Sequence, residues 1–511
     1  MVTFVANTTL SDDSNIDSFG NFLDDFAVNI FLPQIEDKVT QLLQSATVGT
    51  DAFRDDEHYE KLSRYPIVRC ASALLTVIQS LCRTMYAMPF HTDEYIRMIE
   101  IVLLKFYEKC FERFHSIAAP DNKNNINDRS DEYPISLSAN WAQEEDIVVL
   151  LTQSPYFSGE KDVDFELLKD LNQRELTLEL KLKDSKNITI DDLLLEPKKL
   201  IALGRLYQSL KWFVRKIWDL RTPRRTIVQK AAVNSVGEQI DNVAGLDLNE
   251  SPAAYASKRW SHGGVSKSLE SGLDGSIHLP LKDDTASRFD ALLVTYQQLA
   301  ETCLFTLRLE ARCRVMYYLD MATREGNYFL EEESFEPDPY IMTLNSNLVE
   351  IDDCITASLA TNDESFVFDG LPDLIVHLMI SNATYIKRLN HNGVQKMIRN
   401  ILALQQNLLS VLPASQCAPM ERGREYYSLF GLGPERMTQE IQNKGPRFTF
   451  DEYRDILRLM CDVSQQDNEV MVEDTKSSVS DEIMLSNTPN SKFNYNDWLM
   501  KLDAVMANFE N

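Results

Sequence analysis

Between Pro280 and Gly326 the chain runs for 45 residues without a glycine or a proline. Strands rarely exceed about ten residues, so this stretch is too long to be one. Its apolar residues recur in steps of three and four, the spacing of a buried helix face: Leu292, Tyr296, Leu299, Cys303, Leu307, Ala311, Val315 and Tyr318. Phe305–Val315 alone alternates apolar and polar residues, which is also a strand pattern, but the length favours one long helix beginning near Ser287.

The remainder of the chain has the same helical character. Only 17 glycines and 18 prolines occur in 511 residues, and many of them separate periodic segments. Further helices are predicted at Phe19–Leu43 (with a break at Pro33), Ala139–Leu151, Asp164–Leu182, Lys198–Leu220, Tyr340–Leu359, Leu371–Leu389, Gly393–Leu412 and Phe450–Val463. Within the long helix, Glu310 and Arg314 have the spacing of a favourable ion pair. We therefore predict an all-α fold, an elongated rod of stacked antiparallel helical bundles.

Changes in composition divide the chain. Residues 1–120 and 134–220 are each predicted to form a helical bundle, and residues 287–463 the C-terminal bundles. Residues 221–286 hold six glycines, many serines and little periodicity, so we predict a flexible low-complexity linker. An acidic mobile segment is predicted at 464–494. Residues 495–511 are predicted to form a terminal amphipathic helix, whose Trp498 face either binds a partner's groove or, as we favour, closes the C-terminal bundle.

The bulk composition excludes several classes of protein. The net charge of −27 argues against a general nucleic-acid binder, which would be basic. The eight cysteines include no C-x-x-C pair and lie mostly among apolar residues, as small buried hydrophobes do. No sufficiently long uncharged apolar stretch occurs, so we predict no transmembrane segment.

No catalytic motif is present. The sequence lacks the glycine-rich phosphate loops, the nucleophile elbow and the H-E-x-x-H zinc motif. The acidic run Glu331–Glu333 lacks the spaced oxygens and the turn glycine of a calcium loop, so a solvated surface is the better interpretation. We predict no catalytic, cofactor-binding or metal-ligating residues, no cofactor and no enzymatic activity.

One basic island stands out in this acidic chain. Eight basic residues, accompanied only by Asp219, span the end of a predicted helix and the start of the linker: Arg205, Lys211, Arg215, Lys216, Arg221, Arg224, Arg225 and Lys230. Arg215, Lys216, Arg221, Arg224, Arg225 and Lys230 are the candidate contacts with anionic lipid or an acidic partner. Two alternatives remain open: a merely solvated helix face, or a contact with the acidic segment Asp462–Glu482 of the same chain.

Residues 288–460 resemble a known family. The matching positions include Cys303, Leu304, Leu307, Leu309, Glu310, Arg312, Tyr318, Leu319, Glu325–Tyr328, Asp338, Pro339, Leu344, Asn345, Gly370, Leu371, Tyr385, Lys396, Met397, Arg399–Ile401 and Leu404–Leu408. In order and spacing they are similar to the exocyst complex component 4 family, and the helices before the linker match more loosely.

The resemblance implies a subunit of a complex that tethers secretory vesicles to the plasma membrane before SNARE-mediated fusion. It implies a cytoplasmic protein at the membrane periphery, at sites of polarised secretion. The expected partners are other exocyst subunits, with small GTPases, SNARE proteins and anionic lipids as further candidates. Family members are about twice as long, so the chain would be the C-terminal portion. The alternatives are another all-helical adaptor of membrane traffic and an all-α enzyme with an unfamiliar site.

Overall fold

The computed structural model describes residues 21–49, 51–88, 91–120, 135–158, 164–185, 187–221, 279–473 and 494–509. The described residues are helical apart from loops, turns and one isolated β-bridge between Asp55 and Val68. The predicted all-α class is therefore confirmed.

Seventeen α-helices can be named in the described part of the chain. They are α1 Leu32–Thr47, α2 Arg69–Ala87, α3 Thr92–Ala118, α4 Leu137–Trp141, α5 Glu145–Thr152, α6 Pro155–Ser158, α7 Phe165–Ser185, α8 Pro197–Arg221, α9 Asp283–Glu325, α10 Pro339–Thr356, α11 Thr361–Phe368, α12 Leu371–Ser381, α13 His391–Val411, α14 Met420–Ser428, α15 Gly433–Lys444, α16 Phe450–Glu473 and α17 Tyr495–Met506. Short 3-10 turns occur at Tyr59–Lys61, Ile190–Asp192, Asn382–Tyr385 and Leu429–Leu432.

Helix α9 is the axis of the fold. Its 43 residues extend over about 64 Å at the rise of an α-helix. Helices α3, α4 and α8 pack against it, and α10, α11 and α12 contact it as well. Every residue from Cys303 to Met316 is buried. The helix is thus covered on all sides in this part, rather than along one face as the apolar spacing predicted.

The other helices stack in chain order on either side of this axis. Helices α1, α2 and α3 pack on one another, and α2 and α3 contact α8. Towards the C-terminus, α13 and α12 contact α14, while α15 and α16 contact α17. This order gives the stacked helical bundles that the sequence predicted.

The structure corrects two of the predicted helices. The predicted break at Pro33 is wrong: residues 21–26 are helical, a π turn follows at Ala27–Phe31, and α1 continues through the proline. Proline is tolerated here because it lies in the first turn of α1, where the preceding π turn has already displaced the regular hydrogen bonds. The predicted helix Ala139–Leu151 is two helices, α4 and α5, separated by a short turn at residues 142–144.

Several ends of helices also differ from the prediction: α12, for example, ends at Ser381 rather than at Leu389. Helix α9 begins at Asp283 rather than near Ser287, and the first-turn carboxylates of Asp283 and Asp284 suit the positive end of the helix dipole. Helix α16 continues to Glu473, beyond the predicted end at Val463.

The core is shared by the predicted bundles. Buried apolar side chains from α1 to α17 form one contiguous cluster. The linker 222–278 and the acidic residues 474–493 lie outside the described residues, so the division into domains stays a prediction. Trp498 packs against the core while Leu502, Val505 and Met506 of the same helix are buried, which agrees with the favoured interpretation that α17 closes the C-terminal bundle.

One described segment has the length and composition of a membrane span. Thr361–Tyr385 reaches a mean hydropathy of 1.2, but 83% of that window is buried inside the fold. It comprises α11, α12 and a 3-10 turn, and the chain turns at Gly370, whose φ is +70°. The burial and the turn are those of a core element of this bundle.

Candidate functional site

Three of the six predicted basic contact residues lie at the C-terminal end of α8. Arg215 is exposed, whereas Lys216 and Arg221 are partly exposed. The remaining three, Arg224, Arg225 and Lys230, lie outside the described residues. The structure therefore places half of the predicted contact set on one helix end, and contact with lipid or an acidic partner stays a prediction.

Part of the basic island is engaged within the fold. The ion pairs join Arg205 to Asp55 at 2.9 Å, Lys211 to Asp363 at 3.0 Å and Arg221 to Asp290 at 2.7 Å. Arg221 also stacks over the ring of Trp218 at 5.3 Å. These contacts join α8 to the loop before α2, to α11 and to α9. Arg205, Lys211 and Arg221 therefore have structural partners in addition to any external role.

A second polar centre lies inside the molecule, around α9. The side chains of Arg308, Glu310, Arg312 and Arg314 are at most 2% exposed. Isolated charges are very costly to bury, so each needs a partner of opposite charge or a full set of hydrogen bonds. We define these four residues with Glu175 and Glu179 of α7 as the central ion-pair network.

The first part of this network is a bidentate pair. Arg308 donates from Nε to Oε1 of Glu175 at 2.7 Å and from Nη2 to Oε2 at 2.5 Å. It also donates to the carbonyl of Phe366 and, at 3.2 Å, to Oδ1 of Asn172. Burial opposes ionisation of Glu175, but Arg308 and Arg312 outweigh it and hold its pKa below the ordinary value. The pair fastens α7 and α11 to α9.

The second pair is less complete. Nε of Arg312 donates to Oε1 of Glu179 and lies 3.6 Å from Glu175. Within the described residues, Oε2 of Glu179 and both Nη atoms of Arg312 have no hydrogen-bond partner. Burial raises the pKa of Glu179 to about 7, against the attraction of Arg312. Glu179 is as buried as Glu175 but has fewer hydrogen-bond partners, so its pKa is raised whereas the pKa of Glu175 is lowered.

Glu310 joins three segments of the chain. Its Oε2 accepts from the hydroxyl of Ser138 at 2.7 Å, and its Oε1 accepts from the backbone N–H of Leu194 at 2.9 Å. Nε of Arg314 donates to the same Oε1 at 3.1 Å, which confirms the predicted i,i+4 pair. Arg314 further donates to the carbonyl of Leu194 and to Asn347. One carboxylate and one guanidinium therefore tie α4, the segment before α8, and α10 to the long helix.

Most of this network was not predicted from the sequence. The spacing predicted the Glu310–Arg314 pair, but it predicted one buried face of the long helix and not the burial of the charged residues between Phe305 and Val315. Their partners Glu175 and Glu179 lie more than a hundred residues away in the sequence. No signal in the sequence identified these partners, because the burial of every residue between Cys303 and Met316 is a property of the packing.

A further polar junction brings together residues that carried the resemblance. Nζ of Lys396 lies 2.9 Å from Oδ2 of Asp338, and both side chains are largely buried. Oδ1 of Asn400 accepts from the backbone N–H of Asp338 at 2.8 Å, and its amide donates to the hydroxyl of Tyr328 at 3.3 Å. Tyr328 in turn donates to the carbonyl of Ala322 at 3.0 Å. This junction fixes the end of α9 against the starts of α10 and α13.

A second contact between α10 and α13 involves another pair from the resemblance. The amide of Asn407 donates to the backbone carbonyl of Asn345 at 3.1 Å and to its side-chain oxygen at 3.2 Å. Several of the resembling positions are therefore residues that join helices, and their chemistry is that of packing and hydrogen bonding.

The described residues also contain a cleft of about 430 Å³ between α14 and α15. Its charged side chains pair with each other, and the pairs are Arg424–Glu421 at 2.8 Å, Lys444–Glu440 at 2.9 Å and Arg447–Glu425 at 3.2 Å. An acid–base or nucleophilic site needs titratable groups that converge on a substrate position. These side chains are engaged in local pairs instead.

The cysteines and the metal-ligating side chains give no site either. All eight cysteines are buried as free thiols, and burial raises the pKa of Cys70 and of Cys82 to about 12, which removes the reactive thiolate. Among the described residues, no group of three His, Cys, Asp or Glu side chains could hold a metal ion.

Several known proteins are similar to this chain in sequence, although no family model matches it. It is 27% identical over 441 residues to a probable exocyst complex component sec8 from Neurospora crassa. It is 22% identical over 457 residues to human exocyst complex component 4, and 19% identical over 510 residues to exocyst complex component sec8 from Schizosaccharomyces pombe.

These alignments cover most of the chain but only part of each relative. They include 85%, 86% and 96% of this chain and 37%, 42% and 42% of the respective relatives. The chain thus spans about two fifths of the length of the curated proteins it matches. Since the alignments extend well beyond the segment 288–460 and recur in fungi and animals, the chain is a relative of the exocyst complex component 4 (Sec8) proteins.

Proposed function

We propose that this chain is a helical scaffold within an exocyst subunit that tethers secretory vesicles to the plasma membrane before fusion. Its work would be geometric: it holds binding surfaces for other exocyst subunits at fixed separations. The protein would act in the cytoplasm, at the periphery of the plasma membrane where secretion is polarised. Small GTPases and SNARE proteins would be further partners.

The observation that carries this proposal is the extent of the sequence match. Eight curated proteins named as exocyst component 4 or Sec8 align with the chain, seven of them over 85% or more of its residues. Such coverage includes the helices on both sides of the segment 222–278. The alignment therefore concerns the whole stack of helices and not one common helical motif.

The packing supports a scaffold in particular. Buried ion pairs and the Asp338–Lys396–Asn400 junction hold α7, α10 and α13 to one continuous axis. A stack of helices that bury their faces against successive neighbours offers long lateral surfaces for partners. Rigid internal junctions would keep those surfaces in a constant arrangement.

Affinity purification of the tagged full-length protein from its own cells tests the proposal. We expect mass spectrometry to recover the other exocyst subunits. A matched pair of variants then tests this region: Glu310→Ala, which disrupts the central ion-pair network, should reduce recovery, whereas Glu350→Gln on a 43% exposed side chain should not. Failure of the unmodified full-length protein to recover any exocyst subunit would contradict the proposal.

The basic end of α8 suggests a second, narrower role in binding anionic lipid. Each basic side chain near an anionic membrane contributes about 1 kcal/mol. Arg221 is paired with Asp290, so Arg224→Glu combined with Arg225→Glu is the cleaner test. We expect weaker sedimentation with phosphatidylserine-containing vesicles than for the parent chain.

Lys387→Glu combined with Arg388→Glu provides the control, because these two residues are exposed and Arg388 stacks at 4.0 Å over the ring of Phe329, which follows the C-terminal end of α9. Equal vesicle binding by the parent and the α8 variant would contradict the lipid role. Equal weakening by both variants would also contradict it, since the effect would then follow from net charge alone.

A further inference from the structure

The buried face of helix α7 is unusually polar. Its buried side chains follow helical spacing, but half of them are polar or charged: Leu168, Leu171, Asn172, Glu175, Leu176 and Glu179. Its outward side is exposed at Glu166, Asp170 and Gln173. Amphipathic helices normally bury an apolar stripe, whereas α7 is held by leucines, by its packing against α5 and by buried charged contacts with α9.

Those contacts are two ion pairs between α7 and α9, Arg308–Glu175 and Arg312–Glu179, which we call the lower and the upper rung. Glu175 and Glu179 lie one turn apart on α7, and Arg308 and Arg312 lie one turn apart on α9. The lower rung is the bidentate Arg308–Glu175 pair at 2.5 and 2.7 Å. The upper rung has a single hydrogen bond, from Nε of Arg312 to Oε1 of Glu179. All four side chains are at most 2% exposed.

The charges around the upper rung are unbalanced. The groups near it are Arg308, Arg312 and Cys313 from α9, Glu175 from α7, and Asp369 and Asp373 from around the start of α12. Lys169 of α7 acts on Asp373, Asp192 of the 3-10 turn acts on Cys313, and Lys183 pairs with Asp320 at 3.7 Å. Glu175, Glu179, Asp369 and Asp373 are four carboxyl groups, and the cations that act on them are two guanidinium groups and the ammonium group of Lys169. A buried cluster with surplus carboxyl groups favours the neutral form of one of them.

We propose that α7 is a proton-linked clasp: its docking on α9 takes up a proton at the buried carboxyl cluster, centred on Glu179, and its release becomes easier as the pH rises. Glu179 is the centre because its Oε2 accepts no hydrogen bond from the described residues, whereas both oxygens of Glu175 are engaged. This inference concerns the conformation of the chain and does not depend on the function proposed above.

The titration of the cluster agrees with the geometry. Burial raises the pKa of Glu179 to about 7, and burial also raises the pKa of Asp369 and of Asp373. When α7 leaves, Glu179 enters water and its pKa returns to its ordinary value near 4.3. Because the docked pKa is the higher one, the docked state binds more protons between these two values.

The sign of the effect follows. Protonated Glu179 stabilises the docked state most when the pH is below the pKa that this side chain has in water. That stabilisation is lost as the pH rises through the pKa that Glu179 has when α7 is docked. With a docked pKa of about 7, the opening constant of α7 should increase roughly tenfold from about pH 6 to about pH 8.

Hydrogen exchange of the full chain, followed by mass spectrometry and corrected for the intrinsic pH dependence of amide exchange, tests the proposal. We expect peptides from α7 to lose protection by roughly tenfold over that range, while peptides from α8 keep theirs. Glu179→Gln keeps the side-chain shape and removes the titration, so its α7 protection should not vary with pH. Glu166→Gln, on the exposed side of the same helix, should behave like the parent chain.

The parent chain alone provides a test that needs no variant. Equal pH dependence of exchange in α7 and α8 of the parent would overturn the proposal. So would an undiminished pH dependence in Glu179→Gln. If Glu166→Gln abolished the pH dependence, the effect would belong to the net charge of α7 and not to the buried cluster.

Discussion

Two consecutive stretches of α9 are buried by opposite chemistry. Between Phe289 and Leu307 the helix packs mainly through aromatic and aliphatic side chains, and the ring centroid of Tyr296 lies 5.4 Å from that of Tyr107, 5.7 Å from that of Phe213 and 6.0 Å from that of Phe106. Between Arg308 and Arg314 charged side chains alternate with apolar ones, and both kinds are buried. Both stretches belong to one helix and both are buried, so they differ in the kind of contact that they make with neighbouring helices.

The apolar stretch supplies non-directional stabilisation. Hydrophobic burial depends on the area removed from water and tolerates changes of shape. Within the aromatic cluster, the hydroxyl of Tyr296 donates to the carbonyl of Leu103 at 2.5 Å. We infer that this stretch determines how strongly α3 and α8 are held, with little demand on the identity of each side chain.

The charged stretch supplies directional contacts, which form only when the helices are in the correct relative position. Arg308 and Arg314 each donate to groups on several segments, and a shift of one helix by one residue would break every one of these bonds. Buried ion pairs contribute little net stability, but removing one partner is strongly destabilising. We infer that this stretch determines the position of α4, α7 and α10 along the axis.

The largest expected effect tests the charged stretch. Glu310→Ala leaves Arg314 buried without its carboxylate and removes the acceptor for Ser138 and for the N–H of Leu194. We expect a loss of about 3–5 kcal/mol of unfolding free energy, measured by urea unfolding. Glu350→Gln, at 4.0 Å from Arg314 and 43% exposed, is the control and should change stability by less than about 0.5 kcal/mol. A loss below about 1 kcal/mol for Glu310→Ala would remove the distinction between the two stretches.

A smaller effect tests a contact that is neither apolar nor charged. Gly204 of α8 lies against the end of α10, where an added Cβ would come within 2.1 Å of the Ser358 hydroxyl oxygen and 2.7 Å of its Cβ. Gly204→Ala should therefore cost about 1–3 kcal/mol through overpacking, seen as a lower midpoint of urea unfolding. Gly423→Ala is the matched control, because its nearest neighbour is a side-chain methyl of Ile401 at 3.4 Å. Equal stability of the two variants would show that α8 and α10 can separate without cost.

The smallest effect tests the tolerance of the apolar stretch. Phe213 lies 5.0 Å from Phe106 and is fully buried. Phe213→Leu keeps an apolar side chain of similar volume, so we expect a loss of only about 1 kcal/mol, again from urea unfolding. Phe213→Ala, which creates a cavity, should cost about 3–5 kcal/mol. A large loss for the leucine variant would mean that the aromatic stretch is as specific as the charged one.

The sequence predicted the elements whose signals are local. The spacing of Tyr296, Cys303 and Leu307 predicted α9, and the i,i+4 rule predicted the Glu310–Arg314 pair. It predicted the buried cysteines from their apolar neighbours. Where a prediction failed, as at Pro33, a neighbouring π turn had changed the local geometry in a way that periodicity does not report.

The candidate site was less predictable than the fold. Arg221 belonged to the predicted basic island, yet the structure pairs it with Asp290, a residue on the far side of the segment 222–278. Arg308 and Arg312 looked like polar residues of an alternating pattern, and their carboxylates lie on α7, 133 residues earlier in the chain. No local pattern specifies a partner at such a distance.

The sequence by itself determined that this chain is helical, where its long helix lies and which family it resembles. Those properties follow from spacing, turn residues and order along the chain, which are local or one-dimensional. Only the tertiary structure decided that charged residues of α9 are core residues, that Glu175 and Glu179 receive opposite pKa shifts, and that Asp338, Lys396 and Asn400 meet at one junction. The physical reason is that burial and charge pairing depend on distances in space between residues far apart in sequence.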